Sequence, residues 1–259
     1  MFIDSHCHLD RINLEKLGAS LSDLVSAAQA KQVNKMLCVS IDLIQFQTMM
    51  DAIAPFESVW ASAGVHPLHV DEQPFDEAAL RSALANPRVV AVGESGLDYY
   101  YSRDHIDAQK VSFSGHLRVA GELGLPIIVH TRDAREDTLD LIASQGNSKS
   151  AGVLHCFTES LDMAMSAVDL NYMISFSGII TFRNAKALRE VVKAVPLDHI
   201  LIETDSPYLA PVPFRGKQNQ PAYVVEVAQC VADIKGITIE EVASRTQENF
   251  YRLFNKVPA

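Results

Sequence analysis

Short apolar runs of strand length alternate along this chain with stretches whose apolar positions recur at helical spacing. The first run begins almost at the N-terminus, in Phe2-Ile-Asp-Ser-His-Cys-His8. Ser20 to Lys31 follows with Leu21, Leu24, Val25 and Ala28 on one helical face, and Ser20 is placed to cap it. A second strand is predicted over Lys35 to Ile41, a helix over Asp42 to Ile53, and a third strand over Ser58 to Ala63 that runs into Gly64-Val-His-Pro67. Asp76 to Leu84 reads as a short helix. Val89 to Val92 reads as a buried fourth strand opening into a loop from Gly93 to Tyr101. A long helix is predicted from Asp104 to Gly124, where Gly124 and Pro126 supply stop signals. Strand five is Ile127 to His130, with Asp133 capping the next helix. Strands six, seven and eight are Gly152 to His155, Tyr172 to Ser177 and Ile200 to Asp205, and two helices, Ala222 to Lys235 and Ile239 to Phe254, end the pattern.

Eight apolar strands joined by helical connections, with no linker to divide them, predict an α/β chain folded as a (β/α)8 TIM barrel, one domain over residues 1–259. A doubly wound open sheet is the alternative. The stretch from Ala210 to Pro221 is the most irregular and reads as a lid or substrate-contacting loop.

Hydrophobic residues make up 48% of the chain, enough for a sizeable core, and no apolar run reaches the ~20 residues that span a bilayer. No basic segment precedes an apolar one, so a cytoplasmic location without membrane contact or an obligate protein partner is expected. Cys7, Cys38, Cys156 and Cys230 form no Cys-x-x-Cys pair and are expected as reduced thiols. The formal net charge of -10 argues against a broad electrostatic footprint for duplex DNA. Attraction for an anionic substrate must therefore be local.

Such attraction can come from metal. Residues two apart on a strand share a face, so His6 and His8 point the same way. In a barrel, catalytic groups sit at the C-terminal ends of the strands. Glu94, His130, His155 and Asp205 all fall at predicted strand ends beside that histidine pair. Four imidazoles and two carboxylates exceed the needs of one tetrahedral ion, which points to two divalent ions bridged by a carboxylate. Glu94 is the expected bridge, with His6, His8 and Asp205 on one ion and His130 and His155 on the other. The ions are expected to be Mg, Mn or Zn; imidazole-rich ligands favour Zn, Mn, Fe or Ni over Mg. Two such ions against two carboxylates leave the site positive.

The strings Asp4-Ser-His-Cys-His8, Gly64-Val-His-Pro67, Gly93-Glu-Ser-Gly-Leu-Asp-Tyr-Tyr100, His130-Thr-Arg-Asp-Ala134, Leu154-His-Cys-Phe157, Ile174-Ser-Phe-Ser-Gly178 and Glu203-Thr-Asp-Ser-Pro207 resemble the TatD family of metal-dependent deoxyribonucleases, within the amidohydrolase-like barrel superfamily. Arg215-Gly-Lys217 followed by Asn219 also matches. The resemblance covers essentially the whole chain. It implies a cytoplasmic hydrolase that cleaves DNA phosphodiesters with divalent metals, as a 3′ exonuclease acting on DNA ends. Ser95 and Gln220 depart from residues common in the family, which bears on substrate preference and not on the ligands.

Other residues have two readings each. His66 faces the same mouth without completing a metal shell, as a phosphate or water contact set against a structural role. Arg132 is a phosphate clamp or an ion-pair partner of Asp133 or Glu136. Tyr99, Tyr100 and Tyr101 stack on a nucleobase or pack beneath the loop. Arg215 and Lys217 meet an anionic substrate or are solvated lid charges. Glu203 shares a strand face with Asp205 and is expected to hydrogen-bond a ligand imidazole from below. Cys7 and Cys156 are expected in the core, and His69, His105, His116 and His199 outside the site. The expected mechanism is attack by a hydroxide held between the ions, with Asp205 ordering it and taking its proton. An amidohydrolase or lactonase acting on a small molecule is the second hypothesis. A non-catalytic metal-binding scaffold is the third.

Overall fold

The computed structural model of the chain describes residues 1–258. Eight parallel strands pair in sequence order: β1 (Phe2–Cys7), β2 (Val33–Cys38), β3 (Val59–Ala63), β4 (Val89–Asp98), β5 (Ile127–Arg132), β6 (Gly152–Leu154), β7 (Met173–Phe176) and β8 (Ile200–Ile202). The ring closes where Cys7 bridges Ser206, flanked by the His8 amide donating to Ser206 O at 2.7 Å and the Asp205 amide donating to His6 O at 2.9 Å. This is the TIM barrel that the alternation predicts.

Around the barrel run α1 (Leu14–Leu17), α2 (Leu21–Ala30), α3 (Phe46–Ile53), α4 (Glu77–Leu84), α5 (Ile106–Leu123), α6 (Arg135–Gln145), α7 (Leu161–Asp169), α8 (Lys186–Ala194), α9 (Val224–Lys235) and α10 (Ile239–Leu253). Ser20 caps α2 through a reciprocal pair, accepting from the Asp23 amide while Asp23 accepts from its own. Gly124 ends α5 at φ 63°, a left-handed turn that costs glycine little. Among the described residues no helix is long and apolar enough to cross a membrane.

The barrel interior is layered. Ile3, Leu37, Val90, Ile128, Val153, Met173 and Leu201 form an apolar floor, sealed by Phe250 and Phe254 of α10 and its C-terminal turn. Burying each such ring contributes roughly 1.5–3 kcal/mol. Above the floor lie Ser5, Ser175 and Glu203, and above these the imidazoles and carboxylates of the mouth. Strict alternation along β1 would put Ile3 and Cys7 on one face. Instead Cys7 belongs to the outer core, because the register slips between Asp4 and Cys7. That slip turns His6 and His8 inward.

Several boundaries differ from the sequence reading. β2 occupies 33–38 and not 35–41; Val39 and Ser40 instead offer backbone carbonyls to His8 and Glu94. α3 starts at Phe46, because Asp42 folds back to accept the Gln45 amide at 2.6 Å. Asp133 does not cap α6: it turns the chain at φ 54°, and Ala134 takes the cap position without a side-chain bond. The largest correction is β4, which continues through Glu94 to Asp98 in place of a loop, so Glu94 lies within the strand. Gly93 permits this. At φ 121° it sits so close to β5 that a Cβ would lie 2.6 Å from Ile128 O.

Candidate metal centre

Glu94 is the hub of the mouth, almost fully buried, with its two oxygens turned to different partners. Oε2 lies 3.3 Å from His6 Nε2 and 3.9 Å from His8 Nε2, and those two nitrogens are 3.2 Å apart. Asp205 Oδ1 completes this side at 3.4 Å from His8 Nε2 and 3.9 Å from His6 Nε2. Glu94 Oε1 faces His155 Nε2 at 2.7 Å, His130 Nδ1 at 3.2 Å and His66 Nε2 at 3.3 Å. All six expected ligands thus converge, with Glu94 between the two groups.

The far nitrogens of His8 and His130 decide what their near ones offer. His8 Nδ1 donates to Val39 O at 2.8 Å, so its Nε2 presents a lone pair. His130 Nε2 meets Asp98 Oδ2 at 3.0 Å, and His155 Nδ1 faces Glu203 Oε1 at 3.4 Å. Neutral imidazoles held in this way turn their lone pairs toward carboxylate oxygens. Electron-rich atoms buried together are stable only around positive charge. Ligands about 2.0–2.2 Å from a common tetrahedral centre lie roughly 3.4 Å from one another, and the His6, His8, Glu94 and Asp205 donor atoms stand 3.2–3.9 Å apart. This donor set, His6, His8, Glu94 and Asp205, fits a divalent ion.

The electrostatics agree. Burial alone would lower His155, yet Glu94 and Glu203 carry it well above its ordinary value. His130 rises too, as Asp98 and Glu94 outweigh its burial, and so does His8 beside Asp205. Burial pushes the carboxyls of Glu94 and Asp205 up, but the surrounding imidazoles hold both below the usual carboxylate range. A site that draws protons onto buried lone pairs favours cations. His66 is the exception: burial pushes it down to about 4.

A cavity of about 530 Å³ opens above the cluster. His66 and Arg132 line it, as does Tyr101. Arg132 pairs with neither Asp133 nor Glu136; its guanidinium lies 4.3 Å from the Tyr100 ring centre and 4.6 Å from that of Tyr101. Tyr99 is a correction: it packs against the outer core, and its hydroxyl donates to Asp137 at 2.6 Å. Arg215 and Lys217 do not line the cavity either. Arg215 lies over the Phe182 ring at 3.9 Å and Lys217 lies 6.0 Å from that of Phe214, both with exposed side chains. Cys7 is in the core as expected, whereas Cys156 lines the cavity, with Sγ 3.2 Å from Ser177 Oγ.

Glu203 accepts from the Cys156 amide at 2.6 Å and from Ser175 Oγ at 2.5 Å beneath His155, whose Nδ1 lies 3.4 Å from Oε1 without the expected hydrogen bond. Three residues of the site are given no role by the sequence reading. Asp98 holds His130. Asp4 accepts from the Thr204 amide at 2.8 Å and fixes the end of β8. Tyr208 lines the cavity, its ring centre 6.2 Å from that of His8. Asp98 had a signal, since Glu94, Gly96 and Asp98 share a face once β4 is extended.

A family model described as TatD related DNase matches residues 3–255. The metal-dependent hydrolase YcfH of Escherichia coli (strain K12) is 48% identical over 253 residues, spanning 98% of this chain and 95% of its own. YabD of Bacillus subtilis (strain 168), also described as a metal-dependent hydrolase, is 40% identical over 255 residues, spanning 98% of this chain and 99% of its own. Among solved structures, the TatD homologue YJJV from Escherichia coli k12 superposes with a TM-score of 0.91 at 28% identity, covering 99% of this chain and 98% of that one. With match and geometry agreeing along the whole barrel, the chain belongs to the TatD-related DNase family and is a metal-dependent hydrolase.

Proposed function

We propose that the chain, acting as one domain over residues 1–259, hydrolyses phosphodiester bonds at DNA ends with two divalent ions, Mg, Mn or Zn, working from single-stranded 3′ ends. The observation that carries this reading is the division of Glu94, one oxygen toward His6 and His8 and the other toward His130 and His155. The choice of DNA and the direction of cleavage rest on the family resemblance and the family's name. Divalent ions held there supply Lewis-acid polarisation of a phosphoryl oxygen and a water that is nucleophilic at neutral pH.

The residues do the rest. Asp205, bordering the cavity, orders the attacking water and takes its proton on a carboxylate oxygen. Arg132 sits on the rim as a charge for a phosphate. Tyr208 follows β8 and Tyr101 follows β4, strands opposite one another in the ring, so a flexible end entering between them meets an aromatic face on each side. A duplex has its bases already stacked and gains less.

The test is a digest of end-labelled single- and double-stranded DNA, with and without chelator, beside a chromogenic lactone and an amide. Trimming of single strands that chelation stops and added Mn²⁺ or Mg²⁺ restores is expected. Turnover of the lactone or amide without DNA cleavage would replace this reading with the small-molecule hydrolase, and full DNA cleavage after verified metal removal would end the two-ion mechanism.

A further inference from the structure

His66 is wired in the opposite sense to the imidazoles beside it. Behind His8, His130 and His155 stand oxygen acceptors: Val39 O, Asp98 Oδ2 and Glu203 Oε1. Behind His66 stands a donor, the Leu68 amide, which gives its hydrogen to His66 Nδ1 at 3.1 Å. An imidazole nitrogen that accepts a hydrogen bond carries no proton, so the single proton of neutral His66 is on Nε2. A doubly protonated ring is excluded by the same contact, since two N–H groups would face each other. Nε2 is the atom that points to the centre of the mouth, 3.3 Å from Glu94 Oε1.

The chain builds this orientation firmly. Pro67 has no amide hydrogen, so Leu68 offers the first free N–H of the turn Pro67–His69, and His66 Nδ1 caps it. The His66 amide donates to Ile41 O and the Val65 amide to His116 Nε2, which fixes the backbone on both sides of the entry. Gly64 packs so tightly on Gly93 that a Cβ would lie 2.5 Å from Gly93 Cα.

We propose that His66 is a neutral imidazole that gives an Nε2–H hydrogen bond to an oxygen of the anionic substrate, and that it is not a metal ligand despite lying within reach of Glu94 and His130. Ligation through Nε2 would require moving its proton to Nδ1, against the Leu68 N–H. The group gives a hydrogen bond and keeps its proton, because release would leave an imidazolate. A fixed donor aimed where charge develops stabilises a transition state without reorganising. That the oxygen is a phosphoryl oxygen rests on the reading above; the tautomer and the exclusion from the metal shell do not.

The direct test is two-bond ¹H–¹⁵N correlation NMR of the ¹⁵N-histidine-labelled, Zn-loaded wild type. His66 should show a protonated Nε2 and an unprotonated Nδ1; the reverse pattern would overturn the proposal. A second arm compares His66→Ala, His66→Gln and His66→Glu. Elemental analysis should find wild-type metal in the Ala and Gln variants. Inorganic phosphate should bind the loaded Ala variant on the order of ten- to a hundredfold more weakly. Gln, which keeps an N–H, should retain more kcat than Glu, which keeps a possible ligand and loses the donor. Metal loss in the Ala variant, or Glu outperforming Gln, would make His66 a ligand and end the proposal. A chain with this tautomer and full metal that leaves DNA intact would fail the nuclease reading and not this one.

Discussion

Asp98 Oδ2 sits 3.0 Å behind His130 Nε2 and thereby commits His130 Nδ1 to Glu94. Asp98 is itself pinned: its amide donates to Gln109 Oε1 at 2.8 Å, and Oδ1 accepts from the Tyr100 and Tyr101 amides. The tyrosine turn on the rim and the orientation of a ligand are thus one construction. Asp98→Asn would let an amide NH₂ face His130 and favour the wrong tautomer. Metal affinity on the His130 side should weaken by about 10- to 100-fold, measured by titration with a competing chelator. Unchanged affinity would show that His130 needs no such support.

Asp205 and Glu94 should separate in kind. Asp205→Asn keeps the shape and removes the proton acceptor, so most metal should stay while kcat falls by about 10²–10⁴. Glu94→Ala removes the shared partner of both groups and should empty both. Elemental analysis beside kcat decides. Near-normal turnover in Asp205→Asn removes it from the mechanism, and loss of its metal leaves it only a ligand.

Tyr208 and Tyr101 should act on binding. A base stacked on an aromatic ring is worth about 1–3 kcal/mol, so Tyr208→Ala should raise KM for a single-stranded oligomer about 5- to 150-fold with little change in kcat. Tyr99→Ala, altering a packed residue away from the cavity, should lower stability and leave KM alone. Equal KM changes in the two variants would contradict this assignment of the tyrosines.

His116 carries a pH effect on stability. Nε2 accepts from the Val65 amide at 3.1 Å and Nδ1 donates to Ser112 O at 2.7 Å, inside a pocket that burial keeps neutral down to about pH 4. The unfolded imidazole takes its proton near 6.5. Between those values the unfolded chain binds the proton that the folded chain refuses, so this contribution is complete above about pH 6.5 and is lost toward pH 4. By pH 5 the loss is about 2 kcal/mol. Urea unfolding of metal-free wild type and His116→Gln at pH 7.5 and 5 should give the variant the smaller drop, by about that amount. Identical drops would count against a neutral His116.

The barrel was legible because parallel strands buried on both faces read as unbroken apolar runs. β4 was not, beyond Val92: Gly93, Glu94, Ser95 and Gly96 carry no apolar pattern, and backbone pairing with β5 extends the strand. Asp98 disappeared with that extension. The convergence of the candidate ligands was readable because strand ends come together by topology, whichever neighbours they touch. What residue types could not sort were the three successive tyrosines, of which Tyr99 turns to Asp137 and Tyr101 to the cavity. Nor could they say which nitrogen of His66 holds the proton, a matter settled by one backbone amide two residues on.

The closure between β8 and β1 has a mechanical meaning. The backbone there pairs through one bridge and its neighbouring amides, with Asp4 and Ser5 adding side-chain bonds to Thr204 and Ile202, and His6 and His8 lie on one lip of the seam with Asp205 on the other. A cation gripping all three would be a clasp across the joint where the cylinder closes. Loading it to 100 times its dissociation constant adds about 2.7 kcal/mol against unfolding. Stripping it should let the amides of His8 and Asp205 exchange with deuterium well before those of β4 and β5, so that the protein opens along the same line at which it works.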